Sequence, residues 1–325
     1  MSDFLFALNA TSPIVIMVAI GYFLKRIGLI DVGVAKVINK LVFRVFLPAM
    51  LFLNMYKIES LADVDFTFVW YTVIATVVLF VAAILCVSLF TKENPKRGAL
   101  LQSVFRANYA LVGIPLATSL FGVEGAIAAT VLSAFIVPVF NALAVVGLCF
   151  FSSDKKPSVK NILLGIAKNP LILSIAAGFV ALGIRALFVR WGVDFRLTDV
   201  EPIYKTLSNL SSVATPLALL VLGAQFELSA IPELKKHIAF GVLARNLIVP
   251  VLGIGIAYLI GCFSGAHFAT FIAVFCTPVA VSSVPMAQEM DADVSLAGQL
   301  VVWSTLFSAL SIFLASYLLK VLGVF

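Results

Sequence analysis

Apolar residues along this chain gather into long runs separated by short polar breaks. They show neither the alternation of half-buried strands nor the one-sided stripe of soluble helices. A helix needs about 20 apolar residues to cross the hydrocarbon core of a membrane. Runs of that length lie at roughly 5–24, 33–56, 67–90, 98–121, 125–151, 164–187, 203–226, 237–261, 267–290 and 295–322. The pattern therefore predicts an all-α integral membrane protein with ten transmembrane helices. Lys25 and Arg26 follow the first run instead of preceding it, so that run reads as a spanning helix and not a cleaved leader.

The runs repeat. SPIVIMVAIGYF in the first resembles NPLILSIAAGFV in the sixth, with Pro13 to Gly21 spaced as Pro170 to Gly178. Pro48 in the second run answers Pro216 in the seventh, and Pro115 in the fourth answers Pro285 in the ninth. The halves are 1–152 and 164–325, joined by a polar linker at 153–163. Each half holds an odd number of spans, so the two must insert with opposite orientation, which is the inverted-repeat plan of many secondary transporters.

Composition agrees with lipid as the solvent. Hydrophobic residues make up 62% and charged residues 12%, and mean hydropathy is +1.14. The net charge of +6 sits in the loops, so it reports topology and not a nucleic-acid footprint. With the N-terminus outside, the cytoplasmic loops carry Lys25, Arg26, Lys36, Lys40, Lys92, Lys96, Arg97, Lys155, Lys156, Lys160, Lys168, Lys235 and Lys236. The other side carries Lys57, Arg185, Arg190, Arg196, Lys205 and Lys320. The positive-inside rule then places both termini outside. Cys86, Cys149, Cys262 and Cys276 lie in apolar runs without a CxxC pair, and His237 and His267 are too few for a multi-histidine centre. No metal or other cofactor is expected.

Two runs look broken. RANYALVGIPLATSLFG carries Asn108, Gly113 and Pro115; FCTPVAVSSVPMAQEM carries Pro278, Ser282, Ser283, Pro285, Gln288 and Glu289. Interrupted spans at matching places in two halves are the best sequence pointer to a binding site. Half-helix N-termini there present free N–H groups and partial positive charge, which suits an anion such as a carboxylate. The breaks are expected near Gly113–Pro115 and Ser282–Pro285. Asn141, within the fifth run, is a further candidate facing the crossing. Arg245 lies mid-span, where an arginine costs at least about 2.5–3.5 kcal/mol, so either a partner carboxylate or a bound anion must compensate it, which makes it a candidate substrate ligand. Arg44 and Arg106 lie close enough to span ends for their heads to reach water. Glu289, one turn past Pro285, is the candidate proton or cation carrier.

The segments FRANYALVGIPLATSLFGVEG, KNPLILSIAAGF, SSVPMAQEM, INKLVFRVFLPAMLF, PLALLVLGAQFEL and LARNLIVPVLG resemble the auxin efflux carrier family, which includes plant PIN auxin exporters and prokaryotic malonate permeases. The resemblance runs nearly end to end. It implies a fold similar to bile-acid symporters and sodium/proton antiporters, with helices 4 and 9 crossing at their breaks. It further implies a scaffold of helices 1, 2, 6 and 7, paired into a homodimer, and a moving transport unit of helices 3–5 and 8–10. The family's crossover asparagine falls on Asn108, its crossover prolines on Pro115 and Pro285, and its arginine before a proline on Arg245 and Pro250. The long cytoplasmic loop of many PIN exporters is absent, which fits a compact prokaryotic member in the inner membrane.

Together these readings predict a secondary transporter of a small organic anion, a malonate-like dicarboxylate or an auxin-like acid, working by elevator-type alternating access. Its partners are that anion and membrane lipid. A cation/proton antiporter on the same fold is the alternative. The chain has no HExxH, GxSxG or phosphate-loop motif and no room for a soluble catalytic domain, so an enzyme is not expected.

Overall fold

In the computed structural model the described residues are 2–56, 66–152, 168–226 and 228–324. The expected linker at 153–163 lies outside them. The described chain is helical: α1 (Ser2–Arg26), α2 (Val32–Leu41), α3 (Leu47–Tyr56), α4 (Phe66–Phe90), α5 (Asn94–Phe105), α6 (Ile114–Phe150), α7 (Pro170–Arg190), α8 (Glu201–Gln225), α9 (Ile231–Leu243), α10 (Val249–Ile260), α11 (Gly265–Phe275), α12 (Ser283–Glu289) and α13 (Val294–Val321). Among the described residues, six continuous helical stretches are long and apolar enough to cross a membrane. The difference from ten has a local cause: several expected spans are interrupted or run together.

The 37-residue run of α6 joins two expected spans. It does not continue straight. Phe121 and Gly122 leave helical geometry, and Gly122 takes φ 58°, ψ −139°, a region essentially closed to residues with a Cβ. A Cβ on Gly125 would stand 2.2 Å from the carbonyl oxygen of Ala117, eight residues back. In a straight helix those residues are about 12 Å apart, so the chain doubles back at Gly122.

Three prolines enter helices without breaking them. Wide π turns at Val42–Phe46, Tyr109–Gly113 and Ala244–Ile248 each run directly into a helix whose second residue is proline: Pro48, Pro115 and Pro250. A proline ring collides with the carbonyl four residues earlier in a regular helix, at about 3 kcal/mol, and the wider turn makes room for it.

Helix ends are capped by side chains from the polar breaks. Asp31 accepts from the Val34 N–H at 2.7 Å, Asn169 from Leu171 at 2.9 Å and Asp293 from Leu296 at 2.8 Å. α4 shows how little its own sequence separates inside from outside. Trp70, Ile74, Val78, Val81, Leu85 and Leu89 are exposed on one face, while Phe68, Thr72, Phe80, Ala83 and Val87 are buried on the other.

α1 packs along α8, and α3 packs along α7 and α8. Glycines allow the close approaches. A Cβ on Gly21 would stand 2.1 Å from the Leu220 carbonyl oxygen, and one on Gly223 would stand 2.0 Å from that of Val18. Gly178 of α7 lies against Phe52 and Met55 in the same way. Small residues that let backbones meet are the usual adhesive where lipid competes for apolar contacts. α1 also packs along α13, and further contacts join α6 with α11, α4 with α5 and α9 with α13.

Candidate functional site

The two interrupted spans meet. The first opens at Arg106–Asn108, between α5 and the π turn at Tyr109–Gly113; the second opens between α11, which ends at Phe275, and α12, which begins at Ser283. The two open strands pair at Ala107 and Val279. The Asn108 N–H donates to the Pro278 carbonyl at 2.8 Å, and the Ala280 N–H donates to the Arg106 carbonyl at 3.2 Å. The Ser304 hydroxyl of α13 accepts from the Val279 N–H at 3.0 Å. Unwound backbone inside a membrane must satisfy its own polar groups, and here each open strand satisfies those of the other.

Both breaks lie N-terminal of the expected places. Pro115 and Pro285 do not open the helices; they sit in the first turn of the outgoing halves, where a missing N–H costs little. The opening positions are extended at Arg106 (φ −97°, ψ 103°) and non-helical at Asn108 (φ −81°, ψ 56°).

Arg106 occupies the crossing. The expectation that its head reaches water is overturned: the residue is 2% exposed. Its guanidinium donates to Gln102 Oε1 at 2.8 Å, Asn141 Oδ1 at 2.7 Å and Ser282 Oγ at 2.8 Å. One side chain thus ties α5, α6 and the second break together. Asn141 is held in turn by its own amide, which donates to the Val137 carbonyl at 2.8 Å. Among the described residues no acid pairs with Arg106. The Asn108 side-chain nitrogen is buried and has no hydrogen-bond partner there.

A cavity of about 60 Å³ opens onto these groups. Arg106, Asn108, Asn141 and Ser282 line it, with Ala107, Tyr109, Ala110, Val137, Phe140, Ala280 and Val281. The opposite wall is Leu47, Met50 and Leu51 of α3, Leu171 of α7, and Thr215 and Ala218 of α8. Two larger grooves, of about 540 and 310 Å³, lie between α9, α10 and α13. Their walls are almost wholly apolar and include exposed Leu243, Leu247, Val251 and Leu310, as suits a face against lipid.

The remaining candidates are placed elsewhere. Gly113 and Pro115 follow the first break, and a Cβ on Gly113 would stand 2.9 Å from the Ala273 carbonyl oxygen, so that position serves packing against α11. The Ser283 hydroxyl caps the Ala280 carbonyl. Pro285 is buried in α12. Gln288 meets Gln225 of α8 at 2.9 Å and the Lys36 carbonyl of α2 at 3.4 Å, and Glu289 meets Arg44 at 3.5 Å. These last two residues join α12 to α2, α8 and the Val42–Phe46 turn and do not line the cavity.

Arg245 also stands apart from the cavity. It is wholly buried and donates to the Thr277 carbonyl at 2.7 Å, the Val274 carbonyl at 2.6 Å and the Val104 carbonyl at 3.4 Å. Those oxygens belong to the C-terminal ends of α11 and α5, where each helix dipole leaves about half a negative charge. Arg245 compensates the converging ends, and the required partner of this mid-span charge is the backbone.

Similarity to known proteins adds the activity class. The sequence profile of the family described as "Membrane transport protein" matches residues 6–316. The chain belongs to this family, the auxin efflux carriers. An uncharacterized transporter of Methanocaldococcus jannaschii is 27% identical over 316 residues, covering 94% of this chain and 96% of that one. An uncharacterized transporter of Methanothermobacter thermautotrophicus is 24% identical over 310 residues, covering 94% and 96%. A Rhizobium meliloti protein named "Putative malonate transporter" is 26% identical over 265 residues, covering 77% and 74%. This auxin efflux carrier family member is a multi-pass membrane transporter and not an enzyme.

Proposed function

We propose that this protein is a secondary transporter of small organic anions, binding a carboxylate at the crossing of the two broken spans. The observation that carries this reading is Arg106: a buried cation, without an acid partner among the described residues, on the wall of a cavity that also receives the unpartnered Asn108 amide nitrogen. An amide N–H and a guanidinium both donate to a carboxylate, and a buried unpaired charge is costly until an anion arrives. Ser282 and Asn141 hold Arg106 in place. Malonate and similar dicarboxylic acids lead as substrates, with auxin-like acids second. The name of the Rhizobium relative supports the first group.

Ten transmembrane helices in two inverted halves supply the frame, 1–152 and 164–325. The reciprocal packing of α1 on α8 and α7 on α3 supports this, with Gly21 and Gly178 at matching points of the two halves. Helices 1, 2, 6 and 7 form the scaffold; helices 3–5 and 8–10 form the transport unit. The cavity has one wall from each group, as an elevator mechanism of alternating access requires. The protein sits in the inner membrane with both termini outside, as a homodimer through its scaffold.

The alternative, a cation/proton antiporter, needs acids in the site. Every acid described lies off the cavity wall, and Arg245 holds the converging C-terminal helix ends where a cation would bind. The test is Asn108→Ala in proteoliposomes. The variant is expected to insert and purify normally while losing most uptake of organic anion. Undiminished uptake by Asn108→Ala refutes the site.

A further inference from the structure

The two apolar grooves beside α9, α10 and α13 are continuous along the helices. They share Asn246, Leu247, Ser311 and Leu314, so one begins where the other ends. In the first, Lys235, Ile238 and Val242 face Trp303, Phe307 and Leu310, each set at helical spacing. From Lys235 to Asn246 is about 16 Å of helix, and half the hydrocarbon core of a bilayer is about 15 Å. The second groove continues from Asn246 to Tyr258, about 18 Å further. Each groove is therefore about as long as one leaflet is deep. Their charges differ. Among the described residues the first groove carries one formal charge, Lys235, at its end, and the second carries none. Lys235 is exposed and takes part in none of the ion pairs among the described residues. Glu233 stands two residues back, on a different face of α9. The Trp303 indole donates to Gln299 Oε1 at 3.1 Å, so its polar edge is satisfied within α13 and its ring is left to the wall.

We propose that the first groove seats an anionic phospholipid from the leaflet at the N-terminal end of α9, with an acyl chain between α9 and α13 and the phosphate on the Lys235 ammonium. A lysine near the end of a span carries its head to the level of the headgroups on its own stem. Basic pockets between transmembrane helices recognise anionic headgroups. A choline headgroup brings its own cation beside the phosphate, whereas an anionic headgroup leaves that charge for Lys235. The second groove, with no cation, takes a chain without headgroup preference. The seat shares no residue with the cavity at the crossing, so this inference stands or falls apart from the transport reading.

Trp303 on the groove wall reports occupancy. The other tryptophans are Trp70 and Trp191, and replacing both with Phe leaves Trp303 as the emitter. The full chain is reconstituted in phosphatidylcholine vesicles holding a small, fixed fraction of brominated-chain lipid, either phosphatidylglycerol or phosphatidylcholine. Bromine quenches indole fluorescence near contact. The brominated phosphatidylglycerol should occupy the groove about fivefold more favourably, as one lysine near the headgroups provides. Lys235→Gln should erase the preference and Lys235→Arg should keep it. Lys236→Gln should leave most of it, because Lys236 does not line the groove. A chain that retains Trp70 alone, exposed on α4, should show no preference. In the unaltered chain, phosphatidylglycerol should raise the melting temperature in detergent more than phosphatidylcholine does, and Lys235→Gln should remove the difference. Equal quenching by both lipids, or none by either, overturns the seat. Equal loss from Lys235→Gln and Lys236→Gln also overturns it, since that outcome marks diffuse attraction to a basic surface.

Discussion

Replacing Arg245 separates a brace from a substrate ligand. Its guanidinium satisfies two carbonyls at good distance, those of Thr277 and Val274, and a longer one, that of Val104. Arg245→Ala leaves at least two interior carbonyls unsatisfied, at about 1–3 kcal/mol each. It also uncovers two helix ends of like partial charge, and opens a cavity where a wholly buried side chain stood. Against this, the variant no longer buries an arginine, which offsets part of the loss. The balance is a destabilisation of about 2–4 kcal/mol, or on the order of 5–10 °C in apparent Tm for a chain of this size. Arg245→Lys, with one compact donor head, should recover part of it. The assay is thermal unfolding of the detergent-purified variants beside substrate affinity in the protein that remains folded. A brace predicts lower Tm with affinity nearly kept. Unchanged Tm with lost affinity refutes the reasoning and returns Arg245 to the substrate site.

Four further outcomes are expected. Gly21→Leu should wedge α1 from α8, because even a Cβ meets the Leu220 carbonyl at 2.1 Å; a Tm within about a degree of the parent contradicts that packing. Arg44 pairs with Glu289 while 60% exposed, so the pair is worth about 0.2–1 kcal/mol at most; Arg44→Glu should change uptake by a few-fold or less, and adding Glu289→Arg should restore it. Glu289→Gln should leave the pH profile of uptake unchanged, since Glu289 lies off the cavity wall. Uptake into proteoliposomes should be the same with and without a sodium gradient, because hard cations need several oxygen ligands and Arg245 already holds the carbonyls of the converging helix ends; a strong sodium requirement contradicts this.

The chain alone determined its solvent and its class. Runs such as FVWYTVIATVVLFVAAILCV admit no soluble fold, because no core of this size could hide them. The repeated prolines pointed to the two spans that open, whereas the caps, Asp31 and Asp293 among them, came from the structure. The proline signal is local, readable wherever a helix must yield to a ring without an N–H.

Tertiary structure decided what each polar residue faces. α4 is apolar on both sides, so only packing sorts Trp70 to the outside and Phe68 to the inside. The breaks fell at Arg106–Asn108 and before Ser282 because strand pairing between Ala107 and Val279 satisfies backbone there; a proline marks a bend but does not choose its partner. Arg106 and Arg245 look alike as mid-run arginines. Their tasks differ because one meets three side-chain oxygens beside a cavity and the other meets the carbonyl ends of two helices, which residues far apart in the chain bring together. Sequence distance carries no record of that convergence, and in a low-dielectric interior the convergence sets what a charge does.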